Sequence, residues 1–279
     1  MVVTRQKECF GSGFLIAMSL LLAACSSNND DLRASEHQYS SSSETNGCVG
    51  EPRGIAGRTD GFRYAEKRFA NVIAPMNYKA ERAHPLVVVY APAGFSANHS
   101  ERLHRFTSLA TQLGYIIAYA SNPGLNMDLI EDLHRLPEFL TESWCIDKSR
   151  MFVAGHSDGG TTAVASVLMG GGILRPAGIA ASAFGFSRKD LDSFSCPSPV
   201  SMLLFQNRGD ELFPNYVEVA ADWLTQCAHC RLQQSEADGL CSRRSSCSED
   251  IEIVFCENPG RHFHSPLKAK VLMDFFDRL

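Results

Sequence analysis

Gly155-His156-Ser157-Asp158-Gly159 constrains this chain more than any other stretch. Just ahead lies the apolar run Met151-Phe152-Val153-Ala154. Just behind, Gly160 to Met169 is small and apolar enough for a packed helix. The order is therefore strand, sharp turn, helix, with a serine at the apex. The glycines are needed because such a turn is strained and the helix passes close to the strand. This geometry predicts a Ser157 hydroxyl that stands clear of the backbone, beside helix N-terminal N–H groups able to hold an oxyanion. Ser157 is the candidate nucleophile and the Asp158 amide the first candidate oxyanion donor. His156, inside the turn, is expected to face away from the serine and pack.

The flanking pattern predicts an α/β chain. Residues 63–75 alternate roughly between apolar and polar, as outer strands do. Leu86 to Ala91 is a continuous β-branched run that fits a strand buried on both faces. A helix is expected over 101–113, stopped by Gly114, then a buried strand over 115–120. Met127 to Ser143 reads as helix with a break at Pro137. Strands follow at 177–184, 201–205 and 251–256, with helices over 215–226 and 267–279. Strands alternating with helices give a mostly parallel sheet covered on both faces, and its sites gather at the carboxyl ends of the strands.

Two post-strand loops carry matching chemistry. Asp210 follows the strand ending at Phe205, with Glu211 and Glu218 in reserve. His262 and His264 follow the strand ending at Cys256. Serine alone is a poor nucleophile, so it needs an imidazole to take its proton and a carboxylate to orient the imidazolium. The order Ser, Asp, His is that of α/β-hydrolase triads. His262 is the preferred base and His264 the alternative, whereas His84, His99, His104 and His134 read as surface or loop residues. The second oxyanion donor is assigned to the Phe95 amide, in the Ala91 to Ser96 loop after an early strand.

The 279 residues are 44 % hydrophobic and 20 % charged, enough for a real core. A net charge of -5 argues against nucleic acid as the main partner. Arg5 and Lys7 precede an apolar stretch, Phe14 to Ala24, too short to span a bilayer. It closes on Leu22-Ala23-Ala24-Cys25, which resembles a bacterial lipobox and implies lipidation at Cys25. Ser26, rather than an acidic residue, follows; by resemblance to Gram-negative lipoproteins this implies the outer membrane. The chain thus divides into a leader (1–24), a Ser-rich tether (25–47) and one catalytic domain (48–279). Of ten cysteines, eight remain after Cys9 and Cys25. An exported chain favours up to four disulfides. Cys227, Cys230, Cys241 and Cys247 with His229 leave a zinc knuckle as the alternative. No metal or organic cofactor is expected.

From about Arg63 onward the chain resembles the polyhydroxybutyrate-depolymerase-like esterases of the α/β-hydrolase fold, relatives of feruloyl and acetylxylan esterases. The resemblance rests on 85–94, 106–120, Trp144-Cys145-Ile146-Asp147 leading into the Ser157 motif with Gly160, Gly209-Asp210, and Gly260-Arg261-His262. Ala93-Gly94 stands where these relatives carry His-Gly, and Phe263 and His264 follow the base in place of their Trp. The resemblance implies nucleophile, acid and base at Ser157, Asp210 and His262, and a small or oligomeric ester as substrate. The same residues leave open a serine peptidase of this fold, or a non-catalytic surface lipoprotein on a hydrolase scaffold. The lipobox resemblance at Cys25, in turn, implies a membrane-tethered enzyme of the cell envelope.

Overall fold

Strand and helix alternate as the pattern requires in the computed structural model, which describes residues 48, 54–170, 174–232 and 240–279. The first half comprises β1 (Gly57–Ala65), β2 (Arg68–Ala74), β3 (His84–Tyr90), α1 (Ala97–His104), α2 (Thr107–Gln112), β4 (Ile116–Ala120) and α3 (Met127–Ser143). The middle comprises β5 (Ile146–His156), α4 (Asp158–Leu168), β6 (Gly178–Ser182), α5 (Arg188–Leu191) and β7 (Ser201–Gly209). The chain closes with α6 (Tyr216–Cys227), β8 (Arg231–Leu232), β9 (Cys241–Ser245), β10 (Ile253–Arg261) and α7 (Ala269–Asp277). The predicted leader, Cys25 and the tether lie outside the described residues.

The strands form one sheet in the order β1-β2-β4-β3-β5-β6-β7-β10-β9-β8. The six from β4 to β10 are mutually parallel, while β1, β2, β9 and β8 add antiparallel edges. Successive side chains on a strand point to opposite faces. Leu86, Val88 and Tyr90 accordingly enter one core with Leu129 and Leu133 of α3, Val164 of α4 and Leu224 of α6. Val87 and Val89 enter the other, with Ala110 of α2 and Phe275 and Phe276 of α7. An unbroken β-branched run is what a strand covered on both faces needs.

Two helix expectations are corrected. The helix expected over 101–113 is two helices, because Arg105 takes a left-handed conformation (φ 55°) that ends α1. Pro137 does not break α3, which runs through it. Proline leaves the carbonyl four residues earlier without its helical donor. That carbonyl belongs to Leu133, and the buried Tyr90 hydroxyl donates to it at 3.3 Å. The sheet core thus supplies the missing bond.

The eight cysteines from Cys48 onward form four disulfides: Cys48–Cys145, Cys196–Cys227, Cys230–Cys247 and Cys241–Cys256. Every thiolate of the zinc alternative is thereby occupied. Cys241 and Cys256 face each other across β9 and β10, so this bond fastens β9 to the strand that ends at Arg261.

Candidate active site

Ser157 sits between β5 and α4 at φ 57° and ψ -124°, a conformation that costs an L-residue about 1–3 kcal/mol. Its surroundings hold it there. The Ser157 N–H donates to the Ser182 carbonyl at the end of β6 (2.9 Å). A Cβ on Gly155 would collide with the Gly159 carbonyl, and one on Gly159 with the Tyr90 carbonyl of β3. Glycine at both positions lets α4 start hard against the sheet. Asp158 opens α4, so its N–H is one of the helix's unpaired first-turn donors.

Sheet register brings the other two groups together. β10 lies parallel to β7 with Arg261 opposite Gly209, so the next residue on each strand is His262 and Asp210. His262 Nδ1 lies 3.0 Å from both Asp210 carboxylate oxygens, and its Nε2 lies 2.8 Å from Ser157 Oγ. Both His262 and Asp210 are buried. A carboxylate accepts, so Nδ1 carries the proton and Nε2 is left to accept the serine hydroxyl. Asp210 Oδ1 also accepts from the Leu212 and Phe213 amides (3.0 and 2.9 Å), which fixes the carboxylate's orientation. Phe213 packs edge-on against the imidazole, and Phe263 does so from the solvent side.

Two expected residues are placed elsewhere. His264 is exposed and folded back on its own loop: its N–H donates to the Arg261 carbonyl (3.0 Å), and its Nδ1 faces the Arg261 amide. The Phe95 amide donates to the Pro92 carbonyl (3.1 Å), closing a turn, and is therefore engaged within its own loop. Glu211 pairs with Arg261 on the surface, and Glu218 lies on α6. Of the four histidines expected at the surface or in loops, His84, His104 and His134 are buried and only His99 is exposed.

Three residues that hold the site were not singled out for it from the sequence. Asn207 donates through Nδ2 to the carbonyls of Arg261 (3.0 Å) and His264 (2.7 Å), clamping the loop that carries His262. Asn122 donates to the Asp158 carboxylate (3.2 Å) and the Ala91 carbonyl (3.3 Å), tying the loop after β3 to the start of α4. His156 does more than pack. Its Nε2 donates to the His262 carbonyl (2.7 Å), and its Nδ1 accepts from Ser182 Oγ (2.8 Å). Since Ser182 also receives the Ser157 amide, a closed ring of hydrogen bonds runs Ser157, Ser182, His156, His262. A lone Asn or His carries no sequence signal for such a role, which depends on strands distant in the chain.

Burial holds two histidines neutral: His156 is pushed down to about 4 and His104, stacked on Phe106, to about 3. The unfolded chain takes up these protons near 6.5, whereas the folded chain refuses them until far lower pH. Stability from this source is therefore complete above pH 6.5 and is lost as pH falls toward 4. Between pH 7 and 5 each histidine should cost about 1–2 kcal/mol. Thermal melts over that range should show a falling Tm, and a His104→Gln variant should show a shallower fall. An equal slope in the variant would contradict the assignment.

No protein-family model matches the sequence, and no curated protein matches it. Solved structures do resemble the fold. An acetyl xylan esterase from Aspergillus awamori superposes with a TM-score of 0.61 at 14% identity, covering 80% of this chain and 99% of that one. A truncated carbohydrate esterase from gut microbiota gives 0.56 at 12%, covering 83% and 98%. The Pyrococcus horikoshii acylaminoacyl peptidase gives 0.53 at 15%, covering 79% of this chain but 41% of the peptidase. The mostly parallel sheet, the serine at the turn between β5 and α4, and these superpositions together establish that the chain has the α/β-hydrolase fold.

Proposed function

We propose that this protein is a serine hydrolase that cleaves carboxylic esters. The observation that carries the reading is the unbroken line Ser157 Oγ, His262 Nε2, His262 Nδ1, Asp210 at 2.8 and 3.0 Å. The esterase names among the fold neighbours support the ester bond over the peptide bond.

In this mechanism His262 takes the Ser157 proton as Oγ attacks the ester carbonyl, and Asp210 stabilises the imidazolium. The tetrahedral oxyanion is held by the Asp158 amide. With the Phe95 amide engaged, we assign the second donor to the Ala93-Gly94 segment, which follows Pro92 just beyond the Tyr90-Ala91 backbone that Gly159 approaches. Collapse returns the proton from His262 to the departing alcohol. Water, deprotonated by the same imidazole, then releases the acid from the acyl-serine. The substrates favoured are acetyl or feruloyl esters or a hydroxyalkanoate oligomer. Export and a lipid on Cys25 belong to the same reading, supported by the leader pattern and by the use of all eight remaining cysteines in disulfides.

A panel of p-nitrophenyl esters and peptide p-nitroanilides tests it with purified full-length protein. Ester turnover that vanishes in Ser157→Ala is expected. Anilide turnover exceeding ester turnover would replace this reading with a peptidase.

His156 gives a finer prediction. His156→Ala removes the donor from the His262 carbonyl and leaves the Ser182 hydroxyl without its acceptor. We expect kcat to fall about 10- to 100-fold with KM nearly unchanged, since a misplaced base costs the chemical step. His156→Gln, which retains a donor, should recover part of the loss. Steady-state kinetics of the two variants decide this, and equal losses would contradict it.

A further inference from the structure

A groove of about 320 Å³ opens on the same rim of the sheet, on the side away from His262. It lies between the β1–β2 hairpin and the loops after β3 and β4. Lys67, Arg68 and Phe69 form one wall; Phe95 and Asn122 are on the other. Antiparallel pairing of Ala70 with Ala120 carries Arg68 and Phe69 past the carboxyl end of β4, which is why the hairpin overhangs this rim. Asn122 joins the groove to the nucleophile turn. Its side chain holds the Asp158 carboxylate, one residue from Ser157, and its amide donates to the Phe95 carbonyl at 2.9 Å.

The lining chemistry is selective. Phe69 and Phe95 are 48% and 36% exposed, a solvent-facing aromatic pair in a groove with no acidic residue on its walls. Arg68 is neutralised by Asp132 at 2.9 Å. Lys67 is exposed at the turn and makes no ion pair among the described residues. On a chain of net charge -5, this groove carries a positive charge with no ion-pair partner among the described residues, beside two apolar rings.

Resting on the esterase reading, we infer that this groove is a substrate subsite for an ester that extends past the scissile bond through an apolar or aromatic segment to an anionic group. The apolar segment lies on Phe69 and Phe95, and the anion faces Lys67. An exposed pair of this kind contributes modestly and is weakened by salt. It therefore sets preference among esters and leaves the chemistry to Ser157.

Two matched probe pairs test this on the full-length protein, one for each side of the ester. On the alcohol side, 4-acetoxybenzoate is compared with 4-acetoxybenzamide. On the acyl side, the mono-p-nitrophenyl ester of suberic acid is compared with p-nitrophenyl octanoate. For at least one pair the ratio of kcat/KM, anionic over neutral, should fall about three- to tenfold in Lys67→Glu, mainly through KM, and the wild-type ratio should shrink in high salt. Phe69→Ala should raise KM for both members of that pair. Lys148→Glu makes the same charge change at the exposed amino-terminal part of β5 and should leave the ratio where it was. An unchanged ratio in Lys67→Glu for both pairs, or an equal change in Lys148→Glu, would overturn the subsite while ester turnover stands. A wild-type protein that turns over none of the four probes would instead overturn the esterase reading, and the subsite with it.

Discussion

His262→Ala should lower kcat for ester hydrolysis by about 10⁴- to 10⁶-fold while leaving the fold intact. In the proposed mechanism the imidazole accepts the Ser157 proton through Nε2, and among the described residues neither neighbouring histidine can replace it: His264 is turned onto Arg261, and His156 is committed to the His262 carbonyl and Ser182. Truncation leaves Asp210 with the Leu212 and Phe213 amides, so the buried carboxylate keeps two donors. Asn207 still clamps the loop through backbone carbonyls. Stopped assays on the variant, with a thermal melt as the fold control, check this. Activity within tenfold of wild type in a folded variant would mean that the hydrogen-bonded line has no part in the chemistry.

Asp210→Asn should cost nearly as much, about 10⁴-fold in kcat, for a different reason. The amide oxygen of asparagine can keep the Leu212 and Phe213 donors. Its NH2 group must then face His262 Nδ1, which now has to accept. The proton moves to Nε2, the atom 2.8 Å from Ser157 Oγ, and the serine loses its base. The geometry is retained while the tautomer is wrong. Substrate binding should change little, so KM should stay within a few-fold. A large rise in KM with kcat preserved would point to a structural role for Asp210 instead.

The features legible in the sequence are those governed by local physics. The β-branched run at Leu86 to Tyr90, the helical pattern over Met127–Ser143, and the glycine pair around Ser157 each announce themselves through burial, periodicity or close approach. Asp210 and His262 were legible because both follow strands of a parallel sheet. The preference for His262 over His264 finds its physical reason only in the structure. It depends on β10 continuing to Arg261, five residues beyond the apolar run that ends at Cys256, through a polar stretch that pairs with β7. The turn that the Phe95 amide closes with the Pro92 carbonyl was not legible, because it depends on loop register. Pro137 was read as a break because its remedy, the Tyr90 hydroxyl, lies 47 positions earlier in the chain. The strand β9, Cys241–Ser245, has no apolar alternation; it is held by pairing with β10 and by the Cys241–Cys256 disulfide.

In the proposed mechanism Ser157 is the acylated nucleophile and His262 activates it. Intact-mass analysis and peptide mapping after treatment with a fluorophosphonate measure this most directly. One adduct per chain, located on Ser157, formed far more slowly by His262→Ala and absent from Ser157→Ala, is the result predicted. A folded wild-type protein that takes no adduct, or takes one that persists when Ser157 is removed, would contradict it.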